Sequence, residues 1–376
     1  MKTSYRIASI AGIDINVHVT FGLILVFGAV QWGVPYGARG ALFGVLLMIV
    51  LFACVVLHEI GHSLVARAFG IPVRNITLLP IGGVSQMEKN PEKPAHELLI
   101  ALAGPFVNFV IAGFLLMTTD AASILEKTPP AELAKAMVPG PSTAVLFLFM
   151  ANLFLAAFNL VPAFPMDGGR VLRAFLAMFL GLSAATRIAA AVGQFLAMAL
   201  GLFGLLSGNF LLVLIAVFIY FGAGQERAEE RARVVLGTTL VGDAYNKNAI
   251  TLAPGTQVSQ VVDHILTSYQ PDFAVLQGTN LLGVVSRDDI LRSLATELSD
   301  AYVTGIMHRD VLSVDAGRTL EDVREQMNTS GRRLAAVYRG ETFLGLVSRE
   351  DIAEALLVIG FSKAQEARRR AAAGAL

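Results

Sequence analysis

Cysteine is almost missing from this sequence. Cys54 is the only one in 376 residues, so no intrachain disulfide and no cysteine-ligated metal cluster can form. Charge is scarce too. Asp, Glu, Lys and Arg make up 15% of the chain, against roughly 25% in a soluble domain, which excludes a chain that is soluble throughout. The net charge is +0, so no basic field draws nucleic acid, and none is expected as a partner. A cleaved leader is not evident either: Lys2 and Arg6 precede a polar stretch, and the first apolar run is long enough to be retained as a span.

Apolar residues fill the space that charge leaves, at 55% of the chain, and they are unevenly spread. Residues 1–222 hold long apolar runs, and residues 223–376 read as an ordinary soluble protein. A helix that crosses a bilayer needs about 20 apolar residues. Six stretches qualify or nearly so: 17–35, 41–68, 95–119, 142–163, 184–206 and the shorter 209–222, the last two joined by a tight turn at Ser207-Gly208-Asn209. Residues 71–94 break the pattern with Pro72, Pro80, Gly82-Gly83, Pro91 and Pro94 among β-formers, which predicts short strands and turns. Lys2, Arg6, Arg74, Lys89, Lys93, Arg170, Arg173, Arg187 and the charged run after Gln225 fall in one set of loops; Arg39, Lys127 and Lys135 fall in the other. The bias places both termini in the cytoplasm, in keeping with an even number of spans.

The second apolar stretch carries HEIGH, His58 to His62. Residues four apart share one helical face, so the two imidazoles can meet on one metal ion, with Glu59 beside them to act on water. Two histidines and a glutamate in an apolar helix are costly unless paired or metal-bound, which makes function the default reading. A catalytic zinc requires a third protein ligand. Asp167, in NLVPAFPMDGGR at the end of the fourth stretch, is the candidate, because that span runs in the same direction and delivers it to the same membrane side. Pro162 and Pro165 break the helix there, and Gly168-Gly169 permit a tight turn. The alternative role for Asp167 is to cap the helix that follows. Asn159, in an otherwise apolar helix, suits either an oxyanion or substrate-carbonyl contact or an interhelical hydrogen bond. Asn152 reads as structural, His18 as an interfacial residue, and PIGGV (Pro80 to Val84) as a strand edge open to an extended peptide.

These residues resemble the site-2 protease family of membrane-embedded zinc metalloproteases. The family's HExxH is met by His58, Glu59 and His62, and its Asn-x-x-Pro followed by Asp-Gly is met by Asn159, Pro162, Asp167 and Gly168. The resemblance covers about residues 10–222. It implies one Zn2+ per chain, intramembrane cleavage of a single-span membrane protein, and a lipid-bilayer setting.

Residues 240–358 hold an internal repeat. GVVSRDDI from Gly283 recurs as GLVSREDI from Gly345, and the same offset of 62 pairs Val241 with Val303 and Gly255 with Gly317. Each unit predicts strand, helix, strand, strand, helix. The repeats resemble cystathionine-β-synthase-type (CBS) domains, which adds a soluble α/β module to a polytopic α-helical membrane protein with a short β insertion. The resemblance implies an adenine nucleotide, with Asp289 and Asp351 on the ribose and Ser286 and Ser348 beside them, and a homodimer through the CBS pair. The alternative for these four residues is helix capping. The expected organisation is a protease domain over 1–222, a charged linker over 223–239, CBS repeats over 240–298 and 299–358, and a tail over 359–376. A nucleotide-gated transporter and an inactive metal-binding scaffold are the competing functions.

Overall fold

The structure is a computed structural model of the chain and describes residues 4–373 apart from 81, 88–90, 92, 120–137, 248, 269 and 297–299. Lys2, Lys89, Lys127 and Lys135 of the topology argument, and Ile81 of PIGGV, lie outside the described residues. The chain divides into two units, Met1–Ala228 and Glu229–Leu376.

In the first unit, strands β1 (Ser4–Ile10) and β2 (Ile13–His18) lead into helix α1 (Gly22–Ala68), followed by β3 (Val73–Leu79), β4 (Gly82–Met87) and the helices α2 (Pro94–Thr118), α3 (Pro141–Asn159), α4 (Asp167–Leu180) and α5 (Leu182–Leu206). Helix α6 (Phe210–Gly237) runs on past the division. Among the described residues five helices are long and apolar enough to cross a membrane, the first being Val19–Ala68. That first helix is two arms. Pro35 lies in it, and Gly37 at φ +65° reverses the chain, a conformation that glycine tolerates without a Cβ clash. The arms pack closely enough that a Cβ at Gly44 would lie 2.0 Å from the Gly28 carbonyl oxygen. The first two expected spans are therefore a hairpin zipped by small residues, as close helix packing in lipid requires. Phe195, Leu206, Phe210 and Phe221 are 66–79% exposed on the outer faces of α5 and α6. In water such surface would associate, and a bilayer covers it.

The sheet is larger than the sequence suggested. Its order is β1-β2-β3-β4, with β2 and β3 parallel and both outer pairings antiparallel. The N-terminal polar stretch forms half of it. Alternation of Ile13, Ile15 and Val17 in IDINVH was the available signal. Ile13 and Ile15 are buried with Ile76 and Leu78 against Phe52 and Ile60 of α1, so the sheet is fixed on the helix that carries HEIGH. The fourth expected span also ends sooner, at Asn159, and a turn through Pro162 and Pro165 leads to α4.

The second unit holds α7 (Val241–Ala244), β5 (Thr251–Leu252), α8 (Val258–Thr267), β6 (Asp272–Gln277), β7 (Asn280–Ser286) and α9 (Arg287–Thr296). The second repeat supplies α10 (Val303–Ile306), β8 (Leu312–Asp315), α11 (Leu320–Ser330), β9 (Leu334–Arg339), β10 (Thr342–Ser348) and α12 (Arg349–Ala373). Two three-stranded sheets result, β5-β6-β7 and β10-β9-β8. The repeats are interlocked. Asn246 bridges to Leu346 and His308 to Val284, which is the same pairing with the repeats exchanged; Leu240–Thr319 and Tyr302–Gln257 form a second such couple. Val241 is buried in the second repeat's core and Val303 in the first's. Each repeat thus completes its partner's interior.

Gly44→Leu should force the α1 arms apart and destabilise the membrane unit by about 1–3 kcal/mol, measured as earlier thermal unfolding in detergent.

Candidate functional site

Three side chains from two distant segments converge. His58 and His62 lie one turn apart on the second arm of α1, with their Nε2 atoms 3.0 Å apart. Asp167, the first residue of α4, places Oδ2 3.2 Å from each of those nitrogens. All three residues are buried or nearly so. A tetrahedral zinc with bonds of about 2.0–2.1 Å separates its ligand atoms by about 3.3 Å, so this triangle has the size of three corners of such a site.

The surroundings favour lone pairs at the centre. His62 Nδ1 lies 2.6 Å from the Ile100 carbonyl oxygen of α2, and a carbonyl only accepts. Nδ1 therefore donates there, and the neutral ring so held turns a bare Nε2 inward, the usual arrangement of a metal-ligating histidine. Gly104 on α2 faces the same point: a Cβ there would fall 2.2 Å from His62 Nε2 and 2.6 Å from His58 Nε2. Room is kept where a ligand-sized atom would sit. The donor set and this free space fit a zinc ion.

Local sequence explains the convergence. Gly61, inside HEIGH, lets α1 meet α2, since a Cβ would lie 2.8 Å from Val107 and 3.0 Å from the Ala103 carbonyl oxygen. At Gly168 a Cβ would lie 2.2 Å from the Val161 carbonyl oxygen, so the turn that delivers Asp167 closes only with glycine.

Glu59 is half-buried, and its Oε2 accepts a hydrogen bond from Ser85 Oγ on β4 at 2.7 Å. Gly83, on the same strand face as Ser85, leaves space for the Glu59 side chain. Strand β4 is the edge of its sheet. Asn159 ends α3, half-buried and eight residues before Asp167. Asn152 donates to the Leu148 carbonyl oxygen at 2.8 Å, and His18 caps the short turn before α1. Sequence reasoning missed Ser85 and Ile100. Ser85 sits two residues from Gly83, a period-2 signal that marks a shared face. Ile100 acts through its backbone, which no residue type reveals. Arg173 is also misplaced by the sequence reading, which counted it as a loop cation. It is 9% exposed and ion-paired, because a membrane-side arginine facing carboxylates on other helices is drawn inward.

In the second unit the structure pairs Ser286 with Asp289 and Ser348 with Asp351. Ser286 Oγ donates to Asp289 Oδ2 at 2.5 Å while Asp289 N donates back to Ser286 Oγ at 3.2 Å. Ser348 Oγ and Asp351 repeat the exchange at 2.8 and 3.0 Å. Both couples thus close the first turns of α9 and α12. His308 Nε2 lies 3.1 Å from Asp289 Oδ2. Burial pushes the Asp289 carboxyl upward, but the Ser286 hydrogen bonds and His308 outweigh it and hold it below the usual carboxylate value. Arg349 is committed to the backbone carbonyls of Arg332 and Met327.

The family model described as "Peptidase family M50" matches residues 46–127 and 121–202, and the "CBS domain" model matches residues 241–296 and 303–358. Zinc metalloprotease MJ0392 of Methanocaldococcus jannaschii is 34% identical over 96% of this chain and 98% of its own. Stage IV sporulation protein FB of Bacillus subtilis is 28% identical over 43% of this chain and 46% of its own. Among solved structures, the site-2 protease from M. jannaschii is 42% identical, covering 60% of this chain and 95% of that one, with a TM-score of 0.43.

Gly104→Ala should displace both imidazoles and remove divalent-metal retention from a folded chain, measured by metal analysis of detergent-purified protein. Because Asp289 is held below its unfolded value of about 3.9, its stabilisation is present above that pH and is lost as pH falls through the lower folded value. Asp289→Asn should therefore destabilise the CBS pair near pH 7 and cease to matter in strong acid, measured by chemical unfolding across pH.

Proposed function

The chain belongs to peptidase family M50 as a membrane-embedded zinc metalloprotease with a CBS pair, and from that premise we propose how its residues divide the work. His58, His62 and Asp167 hold the zinc, and Glu59 is the general base. The observation that carries this reading is the meeting of three donor atoms 3.0–3.2 Å apart, on two buried imidazoles and a nearly buried carboxylate, with the Glu59 carboxylate next to His58 in the chain. Bound there, zinc supplies Lewis acidity that polarises a carbonyl and makes water nucleophilic near neutral pH. Glu59 takes a proton from that water and gives it to the leaving amine. Ser85 orients the Glu59 carboxylate by its hydrogen bond, and the Ile100 carbonyl holds the His62 tautomer. Asn159 binds the substrate carbonyl or its oxyanion.

The substrate class that suits this arrangement is a single-span membrane protein, cleaved within or beside the bilayer in regulated intramembrane proteolysis. A helical peptide bond hides its carbonyl, so the substrate must unwind. The open edge of β4, next to Glu59, offers main-chain hydrogen bonds to the extended segment. Residues 1–222 form the protease domain, 223–239 the linker, 240–298 and 299–358 the CBS repeats and 359–376 the tail, with both termini and the CBS pair cytoplasmic. The CBS pair senses an adenine nucleotide at Asp289 and Asp351 with Ser286 and Ser348, and pairs with a second copy. A nucleotide can shift cleavage only by binding two states of the chain unequally.

Glu59→Gln should leave zinc content unchanged and lower cleavage of a single-span substrate by about 10²–10⁴-fold, while His58→Ala should lose the zinc. A transporter or an inactive scaffold would show no wild-type cleavage, and that result would reject the proposal. Adenosine phosphates should bind the wild-type chain and bind more weakly to Asp289→Ala and Asp351→Ala; titration calorimetry decides.

A further inference from the structure

One buried cation lies on the helix that Asp167 begins. Arg173 is on α4, six residues beyond Asp167, and is 9% exposed. Its Nε donates to Glu97 Oε1 on α2 at 2.7 Å, and its Nη2 converges on the same oxygen. Its Nη1 donates to Glu226 Oε1 on α6. Its Cζ stands 5.2 Å over the ring of Phe164. The Phe164 side chain is 1% exposed and lies three residues before Asp167.

The partners are telling. Glu97 is three residues before Ile100, one turn along α2 from the carbonyl that accepts from His62 Nδ1. Phe164 belongs to the turn that delivers Asp167. One planar guanidinium therefore touches both segments that aim the proposed ligands: the turn before Asp167, and the helix that orients His62. Apolar packing would also hold these helices together, but it is non-directional. A guanidinium fork with fixed donor directions sets rotation and height as well.

We propose that Arg173 is a positioning residue for the metal site, locking the Asp167 turn to α2 and α6 so that the carboxylate and the two imidazoles meet at one point. The inference rests on the zinc reading above. Loss of Arg173 leaves the ligands in place chemically and degrades their mutual geometry. Groups that support metal ligands from behind typically change metal affinity by about 10–100-fold.

The test is zinc competition against a chelator on the detergent-purified full chain. Arg173→Met alone strands the buried Glu97 carboxylate and the half-buried Glu226 carboxylate and is expected to unfold. The triple variant Arg173→Met, Glu97→Leu, Glu226→Gln removes every charge of the cluster, and apolar replacements of buried ion clusters often keep stability. The expected result is a zinc-free unfolding temperature close to wild type together with zinc affinity weakened about 10–100-fold. Arg173→Lys keeps the charge but not the fork, and it should weaken zinc in the same direction with the fold intact. Zinc held by the folded triple variant as tightly as by wild type overturns the proposal. Should the triple variant not fold, unchanged affinity in Arg173→Lys overturns it and weakened affinity supports it. His58→Ala runs in parallel. If that variant retains zinc, or wild type never holds it, the metal reading fails; if only His58→Ala loses affinity, the metal reading stands and the role of Arg173 falls.

Discussion

Polar groups inside an apolar bundle have to find partners there, because no water stands ready to solvate them. Two imidazoles and a carboxylate on two separate helices are costly as isolated groups and tolerable as a set. Much of the first unit can be understood from this requirement. Helix α1 supplies two of the groups, the Pro162–Pro165 turn brings the third, and α2 backs the pair with a carbonyl on one side and the bare Cα of Gly104 on the other. The β-sheet rests on the same arm of α1 through Ile13, Ile15, Ile76 and Leu78, which places Ser85 on Glu59.

Glycine does much of the work that allows these approaches. At Gly61, Gly104 and Gly168 the nearest neighbours are a facing helix, two imidazoles and a carbonyl oxygen, each too close for a methyl group. In lipid, helices gain little from hiding apolar surface from one another, so close backbone contact and polar pairing must supply the cohesion. The Arg173 cluster follows the same logic: one cation shared between Glu97 and Glu226 joins α2, α4 and α6 through directed bonds.

The CBS pair solves a different problem. Each repeat is too thin to bury its own sheet, so each lends the other its first short helix, and Ala274, Val284, Ala336 and Leu346 form a shared seam. The two Ser–Asp couples are engaged in closing α9 and α12. A ribose hydroxyl that reached either Asp would have to share or replace those bonds.

Much was legible in the sequence. HEIGH with a distant Asp-Gly named the three ligand candidates and the candidate base, because residue identity and helical spacing are local properties. Apolar run length gave the spans, and the gapless offset of 62 gave the repeat. What sequence could not reach was whatever depends on two segments meeting. The N-terminal hairpin joins the sheet only because β2 lies parallel to β3, some sixty residues away. The Ile100 carbonyl is invisible to composition because every residue has one. Arg173 looked like a loop cation until its carboxylate partners arrived from other helices. The swapped helices of the CBS pair keep the sequence repeat unchanged and alter only which core each one fills. Local chemistry is written in the order of residues; the distances that turn it into a site are set by packing between elements far apart in the chain.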